Sequence, residues 1–567
     1  MSTAIIPQEA SPSDEIDGSV KRMRNDVDLK PEQGILRNGA SIVNSPDARR
    51  IIDQSGSIAF CNVIALPCEM GTSNSVERIA SKSTSENDDD ENTTHGVVDP
   101  LQIFFRNVWQ KEPAIYRSTH LMNDEADLEK DSSPLSEAIK MGWNNVADLL
   151  HHCRQHSSFD SPSTESNTSP PLFFQNGRAI TDPHTVYSSN PHAAYLDGCS
   201  VIVNHADFHH ISIAELCEDL QQTFPHVYAN AYLTPPNGYA VKPHADDRDV
   251  LVVQILGQKK WKIYKNVPVE FPFEREQVGK NGMGVDPSVL EGGLCFNNKE
   301  IVLCPGDVLY MPRGFVHEAT TINNSHDNGE RSDALEHSPS FHITIAIATH
   351  DWCVSTLLTE SIRDALNNIT DFRRALPIGP CKEYERSAHG SLSGVTYLEH
   401  QMKRAWSVIQ DKVTSSVLEQ NLRTKYITHN VLADEHRKKL KADQFRKRKY
   451  DDLTPIVGYA AASQLTLQST LRISTPEERE SVVLEEGRLR GLTVREETCT
   501  ILLNLLKHFK LDPKLKKKVC DFRSLIKCVK GEEHDTRKSA ILMVCDFTLL
   551  SFARCCVEVG ALAMVNE

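Results

Sequence analysis

Three side chains that lie far apart in the chain have the types and spacing of a metal site. In "KPHADD", His244 and Asp246 are two residues apart, so on an extended strand both project from the same face and can converge on one ion. His317 follows 71 residues after Asp246, within "VLCPGDVLYMPRGFVHEAT". Two histidines and one carboxylate on one face of an octahedron leave three positions open, which suits Fe(II) and oxygen-activating chemistry.

The His-x-Asp spacing is a weak signal when it stands alone. It recurs with His205 and Asp207 in "NHADFHH", and about one accidental match is expected in a chain with 23 histidines. This second pair precedes "ISIAELCEDLQQTF", whose apolar residues recur at helical intervals, so Asp207 is predicted to cap or lead into a helix. For His317 alone, the ordinary alternative is a core histidine with satisfied hydrogen bonds. The metal site is therefore predicted from the set of three residues.

The elements that must position these residues are predicted to be strands. From about 172 to 350 the chain has short β-rich runs separated by turn residues, which is typical of a sandwich or a barrel. These runs are "AYLDGCSVIVN", "HVYANAYLTPP", "DVLVVQILGQKKWKIY", "EIVLCPGDVLYMP" and "FHITIAIAT". In an antiparallel double sheet, a ligand pair on an early strand can meet a histidine on a late strand at the barrel mouth. Polar stretches near 123–137, 154–171 and 322–340 are predicted to be surface loops.

The two ends of the chain differ from this β-rich part. Residues 1–98 are polar, include "STSENDDDEN" and lack a sustained period, so we predict a disordered tail in which "VKRMR" could act as a nuclear import patch. "DPLQIFFRNVWQKEPAIYR" then predicts an amphipathic helix that leads into a strand. Beyond about 351, apolar stripes at i, i+3 and i+4 predict packed helices. "HRKKLKADQFRKRKY" could be a linker, an import signal or an exposed helix face, and "FTLLSFARCCVEVGALAMVNE" predicts a helix followed by a strand.

Composition limits the classes of partner. A net charge of -15 argues against a general nucleic-acid-binding surface, because phosphate contacts need clustered Lys and Arg. Fifteen cysteines without a C-x-x-C pair indicate reduced thiols rather than a disulfide framework or a zinc cluster. The chain shows no N-terminal signal pattern, and the apolar run "SIAFCNVIALP" is too short to span a bilayer. We therefore expect a soluble intracellular protein without a membrane partner.

The motifs as a set resemble those of the JmjC-type ribosomal oxygenases, nuclear and nucleolar histidyl hydroxylases of ribosomal proteins that include bifunctional lysine-specific demethylases. The resemblance is carried by "NAYLTPPNGYAVKPHADDRDVLVVQILGQKKWKIY", "CPGDVLYMPRGFVHEAT" and "SPSFHITIAIATHDW", and weakens after 352. It implies an α+β fold with a double-stranded β-helix, the jelly roll of cupin and JmjC proteins, as the catalytic domain. The implied domains are a tail at 1–98, the catalytic domain at 99–352, a helical dimerisation domain with a basic linker at 353–450, and a winged-helix-like domain at 451–567.

The resemblance also implies roles for individual residues. Fe(2+) would be held by His244, Asp246 and His317, with 2-oxoglutarate and O2 as co-substrates. Lys259 in "GQKKW" matches the lysine that binds 2-oxoglutarate, whereas Lys260 would face the other side of the strand. The remaining matches are Asn230 and Tyr232 in the cofactor and substrate pocket, Ser340 at the target histidine, and Thr344 on the same strand.

The implied reaction is hydroxylation of the β-carbon of a histidine in a basic ribosomal segment, by a homodimer that forms through helices of about 353–440 in the nucleus and nucleolus. Three alternatives stay open: demethylation of N-methyl-lysine on the histone H3 tail, a non-catalytic jelly-roll adaptor in chromatin or ribosome assembly, and a cupin isomerase that needs no 2-oxoglutarate. Residues 451–567 hold 17 basic and 17 acidic residues, which argues against direct nucleic-acid binding by the C-terminal domain. The insertion "EATTINNSHDNGERSDALEHSP" is longer than the family pattern and could change the substrate if it folds over the mouth.

Overall fold

The protein is described by a computed structural model. The described residues are 68–70, 100–118, 133–154, 170–180, 186–236, 238, 241–280, 282–321, 339–347, 350–374, 394–449, 457–480, 505–510, 512–522 and 545–565. The strands are β1 Cys68–Met70, β2 Ala114–Tyr116, β3 Leu172–Gln175, β4 Arg178–Ala179, β5 Ser200–Val203, β6 Val227–Thr234, β7 Asp249–Leu256, β8 Lys259–Ile263, β9 Ile301–Leu303, β10 Val308–Met311, β11 His317–Thr321, β12 Ser340–Ile347, β13 Thr470–Ile473, β14 Lys517–Lys518 and β15 Leu562–Met564.

The helices that these ranges contain are, in chain order, α1 Pro100–Asn107, α2 Pro134–Ile139, α3 Trp143–His152, α4 Val186–Ser189, α5 Pro191–Leu196, α6 Ile211–Leu220, α7 Pro287–Glu291, α8 Cys295–Asn298, α9 Val354–Asn367, α10 Gly394–Lys412, α11 Ser415–Lys449, α12 Tyr459–Gln464, α13 Pro476–Glu480 and α14 Asp546–Glu558. No described helix is both long enough and apolar enough to cross a membrane.

Two antiparallel sheets form the β-rich part of the chain. The large sheet has the order β1-β2-β10-β7-β12-β6-β5-β3-β4, and the small sheet has the order β11-β8-β9. An isolated bridge between His244 and His317 adds one more residue pair at the β11 edge of the small sheet. The predicted fold class, an α+β jelly roll of the cupin and JmjC type, is confirmed by this arrangement together with the helices that surround it.

Burial along the strands explains why the β-rich runs differ in composition. Nearly every residue of β7 and β12 is buried, because these central strands have the barrel interior on one side and packed helices on the other. Strand β6 alternates between buried and half-buried positions over most of its length. A second apolar cluster fills the space between the two sheets, with Ile115, Val252, Trp261, Leu309 and Phe315 among its members. The space between the two sheets is therefore apolar where this cluster lies.

Helices cover the outer side of the large sheet. Helix α3 begins where the amide of Gly142 donates to Asn145 Oδ1 at 3.0 Å, and it buries Val146, Leu149 and Leu150. Helix α14 has no exposed residue, because it packs between α3 and α5 on one side and α12 on the other. The predicted C-terminal helix followed by a strand is confirmed as α14 and β15, and the sheet β14-β13-β15 lies in the same region.

Some predictions from the sequence need correction. The segment "AYL" at the start of the first β-rich run ends helix α5 instead of beginning a strand, and only Ser200–Val203 of that run is extended. The prediction that the residues around Asp207 cap or lead into a helix is confirmed in its second part, because a 3-10 turn at Ala206–Phe208 leads into α6. Asp207 does not cap α6, because its buried side chain accepts from the amide of Ala229 in β6 at 3.0 Å.

Other predictions lie outside the described residues or stay untested. The basic stretch after His436 continues helix α11. Most of the 1–98 tail and of the three polar stretches, including the insertion before Ser340, falls outside the described residues. The domain boundaries, the dimerisation role of the helices after 353 and the winged-helix character of 451–567 stay predictions.

Candidate metal centre

Backbone hydrogen bonds bring the two histidine-bearing segments together. The amide of His244 donates to the carbonyl of His317 at 3.1 Å, and the amide of His317 donates back to His244 at 2.9 Å. The amide of Gly314 donates to the carbonyl of Asp246 at 3.0 Å. The segment before β7 is thus joined to the start of β11 and the turn before it, through the backbone of the candidate ligands themselves.

The three predicted metal ligands converge. One nitrogen or oxygen from each of His244, Asp246 and His317 lies within 4.8 Å of the others. The described residues contain no other cluster of this kind. Nε2 of His244 lies 3.9 Å from Oδ1 of Asp246, and Nε2 of His317 lies 3.7 Å from Oδ2. These separations leave room for one ion between the three side chains.

Hydrogen bonds on the far side of each imidazole select the tautomer that a metal requires. Nδ1 of His244 lies 2.7 Å from the carbonyl of Lys242, and Nδ1 of His317 lies 3.0 Å from the carbonyl of Phe315. A carbonyl accepts only, so each Nδ1 carries the hydrogen and each Nε2 presents a lone pair towards Asp246. Backbone carbonyls in this position are the usual outer partners of histidines that bind metals.

The protonation states also suit a cation. Burial lowers the pKa of His244 to about 3 and also lowers the pKa of His317, so both imidazoles are neutral at pH 7. Burial by itself raises the pKa of Asp246, but the Lys280 ammonium and the two imidazoles outweigh it and hold that pKa below its usual range. Two neutral nitrogen donors and one carboxylate therefore face the same point.

A cavity opens beside these three residues, between the two sheets. Its other lining residues are Tyr232, Val241, Val250, Val252, Lys259, Trp261, Met311, Ala319, His342 and Thr344. The lining combines apolar side chains with the polar Tyr232, His342 and Thr344, and its charged groups are the carboxylate of Asp246 and the ammonium of Lys259. Such a cavity suits a small ligand that carries charge at both ends.

Lys259 is buried without a counter-ion. Its side chain is 1 % exposed; Nζ donates to Thr234 Oγ1 at 3.1 Å and lies 3.4 Å from Nδ1 of His342. No carboxylate forms an ion pair with it among the described residues. Burial lowers its pKa to about 7. Lys260 points to the opposite face of β8 and pairs with Glu300 at 3.0 Å, as expected from strand alternation.

Of the other four predicted site residues, two line the cavity and two do not. Tyr232 and Thr344 line the cavity, and the Tyr232 ring stacks on His342 with 4.8 Å between ring centroids. Asn230 accepts from the amide of His205 at 3.1 Å and is not among the lining residues. Ser340 is fully buried, and its hydroxyl accepts from Gln254 Nε2 at 2.9 Å. The predicted contacts of Asn230 and Ser340 with ligands stay predictions.

Reasoning from the sequence missed two polar residues. His342 lies between the predicted Ser340 and Thr344 at strand spacing, and this period of two was the signal that could have identified it. Lys280 contacts Oδ1 of Asp246, and no short motif pointed to it. Only the path of the chain between β8 and β9 brings Lys280 back to the metal ligands.

Residues 203–329 match the JmjC domain family, and the match includes His244, Asp246, Lys259 and His317. The chain is 28% identical over 283 residues to the bifunctional lysine-specific demethylase and histidyl-hydroxylase NO66 of Drosophila persimilis, over 49% of this chain and 35% of that protein. It is 26% identical over 297 residues to ribosomal oxygenase 1 of Danio rerio, over 50% of this chain and 46% of that protein. The chain thus spans less than half the length of these two relatives.

Among solved structures, the ribosomal oxygenase YcfD of Escherichia coli in complex with cobalt and 2-oxoglutarate is similar to this chain. The sequence identity is 16%, the match covers 58% of this chain and 70% of that chain, and the TM-score is 0.35.

Proposed function

We propose that this chain, which carries a JmjC domain of the ribosomal-oxygenase type, is an Fe(II)- and 2-oxoglutarate-dependent protein hydroxylase. Its proposed target is the β-carbon of a histidine in a ribosomal protein. One observation supports the proposal most strongly: the buried ammonium of Lys259 faces the cavity that also holds His244, Asp246 and His317, and no described carboxylate pairs with it. A ligand with a carboxylate at one end and metal-binding oxygens at the other complements both groups.

The donor set fits Fe(II). Two neutral imidazole nitrogens and one carboxylate on one side of an ion form the facial arrangement of non-haem iron oxygenases. The outer hydrogen bonds of His244 and His317 fix the required tautomers, and the joined backbones hold the two rings at 4.4 Å between centroids. His244, Asp246 and His317 would therefore hold the metal.

The far end of the cavity fits the second carboxylate of 2-oxoglutarate. An isolated ammonium in an apolar wall carries a desolvation cost that a bound carboxylate would offset. Thr234 and Tyr232 lie next to Nζ of Lys259, the Tyr232 ring at 5.9 Å from Nζ to its centroid. Burial raises the pKa of Tyr232, so its hydroxyl keeps its hydrogen and can donate. Lys259 would thus orient the co-substrate by its charge, and the hydroxyls would fix its direction.

When bound, the iron and 2-oxoglutarate supply the activation of O2 that allows an unactivated C–H bond to be hydroxylated. The chain's own residues would position these ligands and exclude water from the cavity. Trp261, Val252 and Met311 are apolar residues in the lining of the cavity that holds Lys259 and the His-Asp-His set. Because the neutral imidazoles keep their Nδ1 hydrogens on backbone carbonyls, they do not exchange protons with the reacting groups.

Turnover of 2-oxoglutarate tests the proposed reaction. The full-length protein with Fe(II), O2 and 2-oxoglutarate is expected to form succinate, and Asp246→Asn is expected to abolish it. Asp207→Asn is the matched control, because Asp207 has the same His-x-Asp spacing but binds the amide of Ala229 instead. Absence of succinate from the wild-type protein would contradict the proposal and would support the adaptor or the isomerase, neither of which consumes 2-oxoglutarate. Equal succinate formation by wild type and Asp246→Asn would show that Asp246 is not a metal ligand.

The substrate proposal needs a separate measurement. Peptides from histidine-containing segments of ribosomal proteins and N-methyl-lysine peptides of the histone H3 tail would be incubated with the active protein and analysed by mass spectrometry. The proposed hydroxylase adds one oxygen atom to a histidine peptide. Loss of a methyl group without gain of oxygen would replace the hydroxylase by the demethylase.

We also propose that the helices of about 353–440 mediate a homodimer. Large apolar side chains are exposed there, with Val354 at 73 %, Met402 at 70 % and Trp406 at 61 %. A Met402→Asp/Trp406→Asp variant is expected to elute as a monomer in size-exclusion chromatography with light scattering. A wild-type protein that is monomeric at micromolar concentration would contradict this proposal.

The nuclear and nucleolar location is proposed as well, from the resemblance and from the basic segments "VKRMR" and "HRKKLKADQFRKRKY". Fluorescence microscopy of the tagged chain, with and without neutralisation of these segments, tests it. The winged-helix-like domain at 451–567 is proposed to act in architecture or substrate contact, not in direct binding of nucleic acid, because its charges balance.

A further inference from the structure

The chain between β8 and β9 returns to the candidate metal ligands and is held there by its backbone. The amide of Ala245 donates to the carbonyl of Val278 at 2.9 Å, and the amide of Gly279 donates to Met283 at 2.8 Å. Gly279 has a φ of +81°, and a Cβ at this position would lie 2.3 Å from the carbonyl oxygen of Pro243 and 2.7 Å from Cα of His244. Only glycine allows so close an approach, so this backbone is fixed against the metal-ligand segment.

This fixed backbone places the ammonium of Lys280 beside the candidate metal ligands. Lys280 follows Gly279 directly, and its Nζ contacts Oδ1 of Asp246, the carboxylate that we place among the metal ligands. The Lys280 side chain is 35% exposed, so it can also reach solvent without any backbone movement. Asp246 therefore has two possible cationic partners, a metal ion and Lys280.

We propose that Lys280 competes with the metal for Asp246 and thereby lowers the affinity of the site for divalent cations. The inference rests on the proposed metal-binding function and goes beyond it by naming a residue that sets the affinity. Metal binding then requires the Lys280 side chain to swing towards solvent, while 277–280 keeps its place beside His244.

The opposite role, in which Lys280 orients Asp246 and strengthens metal binding, is the weaker of the two. An outer partner that orients a ligand contributes roughly 10–100-fold in metal affinity. An ammonium in contact with the ligating carboxylate, however, lies within a few ångströms of the doubly charged metal ion. At that separation the Coulomb repulsion outweighs a roughly 10–100-fold gain in affinity, even at the effective dielectric of a protein surface. Because Lys280 can move into water, the balance favours competition.

Binding of Co(II), followed by isothermal titration calorimetry on the full-length protein, tests this. Lys280→Met is expected to lower the Kd for Co(II) roughly tenfold, because the competing charge is removed. Lys280→Arg keeps the charge and is expected to bind Co(II) as weakly as the wild type. Lys265→Met removes the same charge from an exposed position at the start of this excursion and serves as the control.

Thermal unfolding gives a second readout that a merely structural role would not reproduce. Without metal, Lys280→Met is expected to melt below the wild type because Asp246 loses its partner; at saturating Co(II) the difference should vanish or reverse. A Kd for Lys280→Met that equals or exceeds that of the wild type would overturn the proposal, and Lys280→Gln repeats the test if the Met variant does not fold. Failure of all variants and the wild type to bind Co(II) would overturn the proposed metal function itself.

Discussion

Two of the regions that bury cations among the described residues do so in opposite ways. Where α14 packs on α3, Arg154 Nη1 lies 2.8 Å from Oε2 of Glu558, with both side chains less than 5 % exposed. In the same interface, Arg554 Nη2 lies 2.6 Å from Asp148 Oδ1 and Arg554 also donates to the carbonyl of Leu465. Each buried guanidinium there has a carboxylate partner within the chain.

The barrel cavity buries Lys259, and among the described residues its Nζ has polar or aromatic contacts with Thr234, His342 and the Tyr232 ring, none of which is a carboxylate. His342 stays neutral and adds no second positive charge, since burial and the nearby Lys259 lower its pKa well below its ordinary value. A buried charge without a partner costs stability, whereas a paired one is destabilising mainly when it loses its partner. The comparison indicates that the interface cations stabilise the fold through partners within the chain, whereas the cavity cation has no such partner and is open to the carboxylate of the proposed ligand.

The largest effect on the free energy of unfolding is expected at the interface of α3 and α14. Arg154→Met leaves Glu558 buried without its partner and is expected to reduce the free energy of unfolding by about 3–5 kcal/mol, measured by urea denaturation. Arg154→Met/Glu558→Leu removes both charges and should recover most of that loss. Arg423→Met, in an exposed i,i+4 pair with Glu419, is the control and should cost roughly 0.3–0.5 kcal/mol. A double variant as unstable as the single one would show that the pair does not act as a unit.

Removal of the cavity cation should change binding instead of stability. Lys259→Met is expected to weaken 2-oxoglutarate binding to the metal-loaded protein by about 100-fold, or about 2.8 kcal/mol, measured by calorimetry. Its unfolding free energy without ligand should equal or exceed that of the wild type, because an unpaired buried charge has been removed. A variant that is clearly less stable and still binds 2-oxoglutarate would place Lys259 with the interface cations, and the comparison would fail.

The pH dependence of binding sharpens the same contrast. Because the pKa of Lys259 lies at about 7, its ammonium is present below pH 7 and is lost as the pH rises. The affinity for 2-oxoglutarate is therefore expected to fall by about tenfold per pH unit above 7, or about 1.4 kcal/mol per unit. Lys259→Arg stays charged and should remove this dependence; calorimetry between pH 6.5 and 8.5 measures both. A pH profile shared by wild type and Lys259→Arg would exclude Lys259 as its cause.

The same pKa fixes the sign of a stability effect. In the unfolded chain Lys259 returns to its ordinary pKa of 10.5, so between pH 7 and that value the unfolded state binds more protons than the folded one. The contribution of Lys259 to stability in the absence of ligand therefore rises with pH across this window. Lys259→Met lacks this contribution, and the difference between the two proteins isolates it.

Particular residues show how far the sequence alone could predict this site. The His-x-Asp spacing identified His244 and Asp246, but they lie in the segment before β7 and not on the predicted strand, with His244 in an isolated bridge to His317. Strand alternation did separate Lys259 from Lys260, because both lie in β8 and alternation is local geometry. The sequence could not distinguish the 205–207 pair by spacing; the structure does so because Asp207 binds a backbone amide of β6. Lys280 could not be found, since its place depends on the path of a long excursion and on a single left-handed glycine beside His244.

The prediction of the fold succeeded for long segments and failed for a short one. Strands β7 and β12 follow long β-rich runs bounded by turn residues, and α10 and α11 follow the helical pattern predicted after 351. Pro191–Leu196 did not, because a six-residue helix whose residues are all buried has no polar face to reveal its period. The unpaired state of Lys259 is likewise invisible in a sequence, because it depends on every side chain around the cavity.

The smallest effect is expected at Lys260, the neighbour of Lys259 on the outer face of β8. Its ion pair with Glu300 is 3.0 Å long, and the two side chains are 40 % and 37 % exposed, so water screens the charges. Lys260→Met should change the free energy of unfolding by less than about 1 kcal/mol and leave the Kd for 2-oxoglutarate unchanged. Urea denaturation at low and high salt, beside calorimetry, measures both quantities. Lys259 and Lys260 are neighbours in the same strand and differ in the face on which their side chains lie. If Lys260→Met lost as much affinity for 2-oxoglutarate as Lys259→Met, positive charge near the barrel would attract the ligand, and a buried unpaired ammonium would not be required.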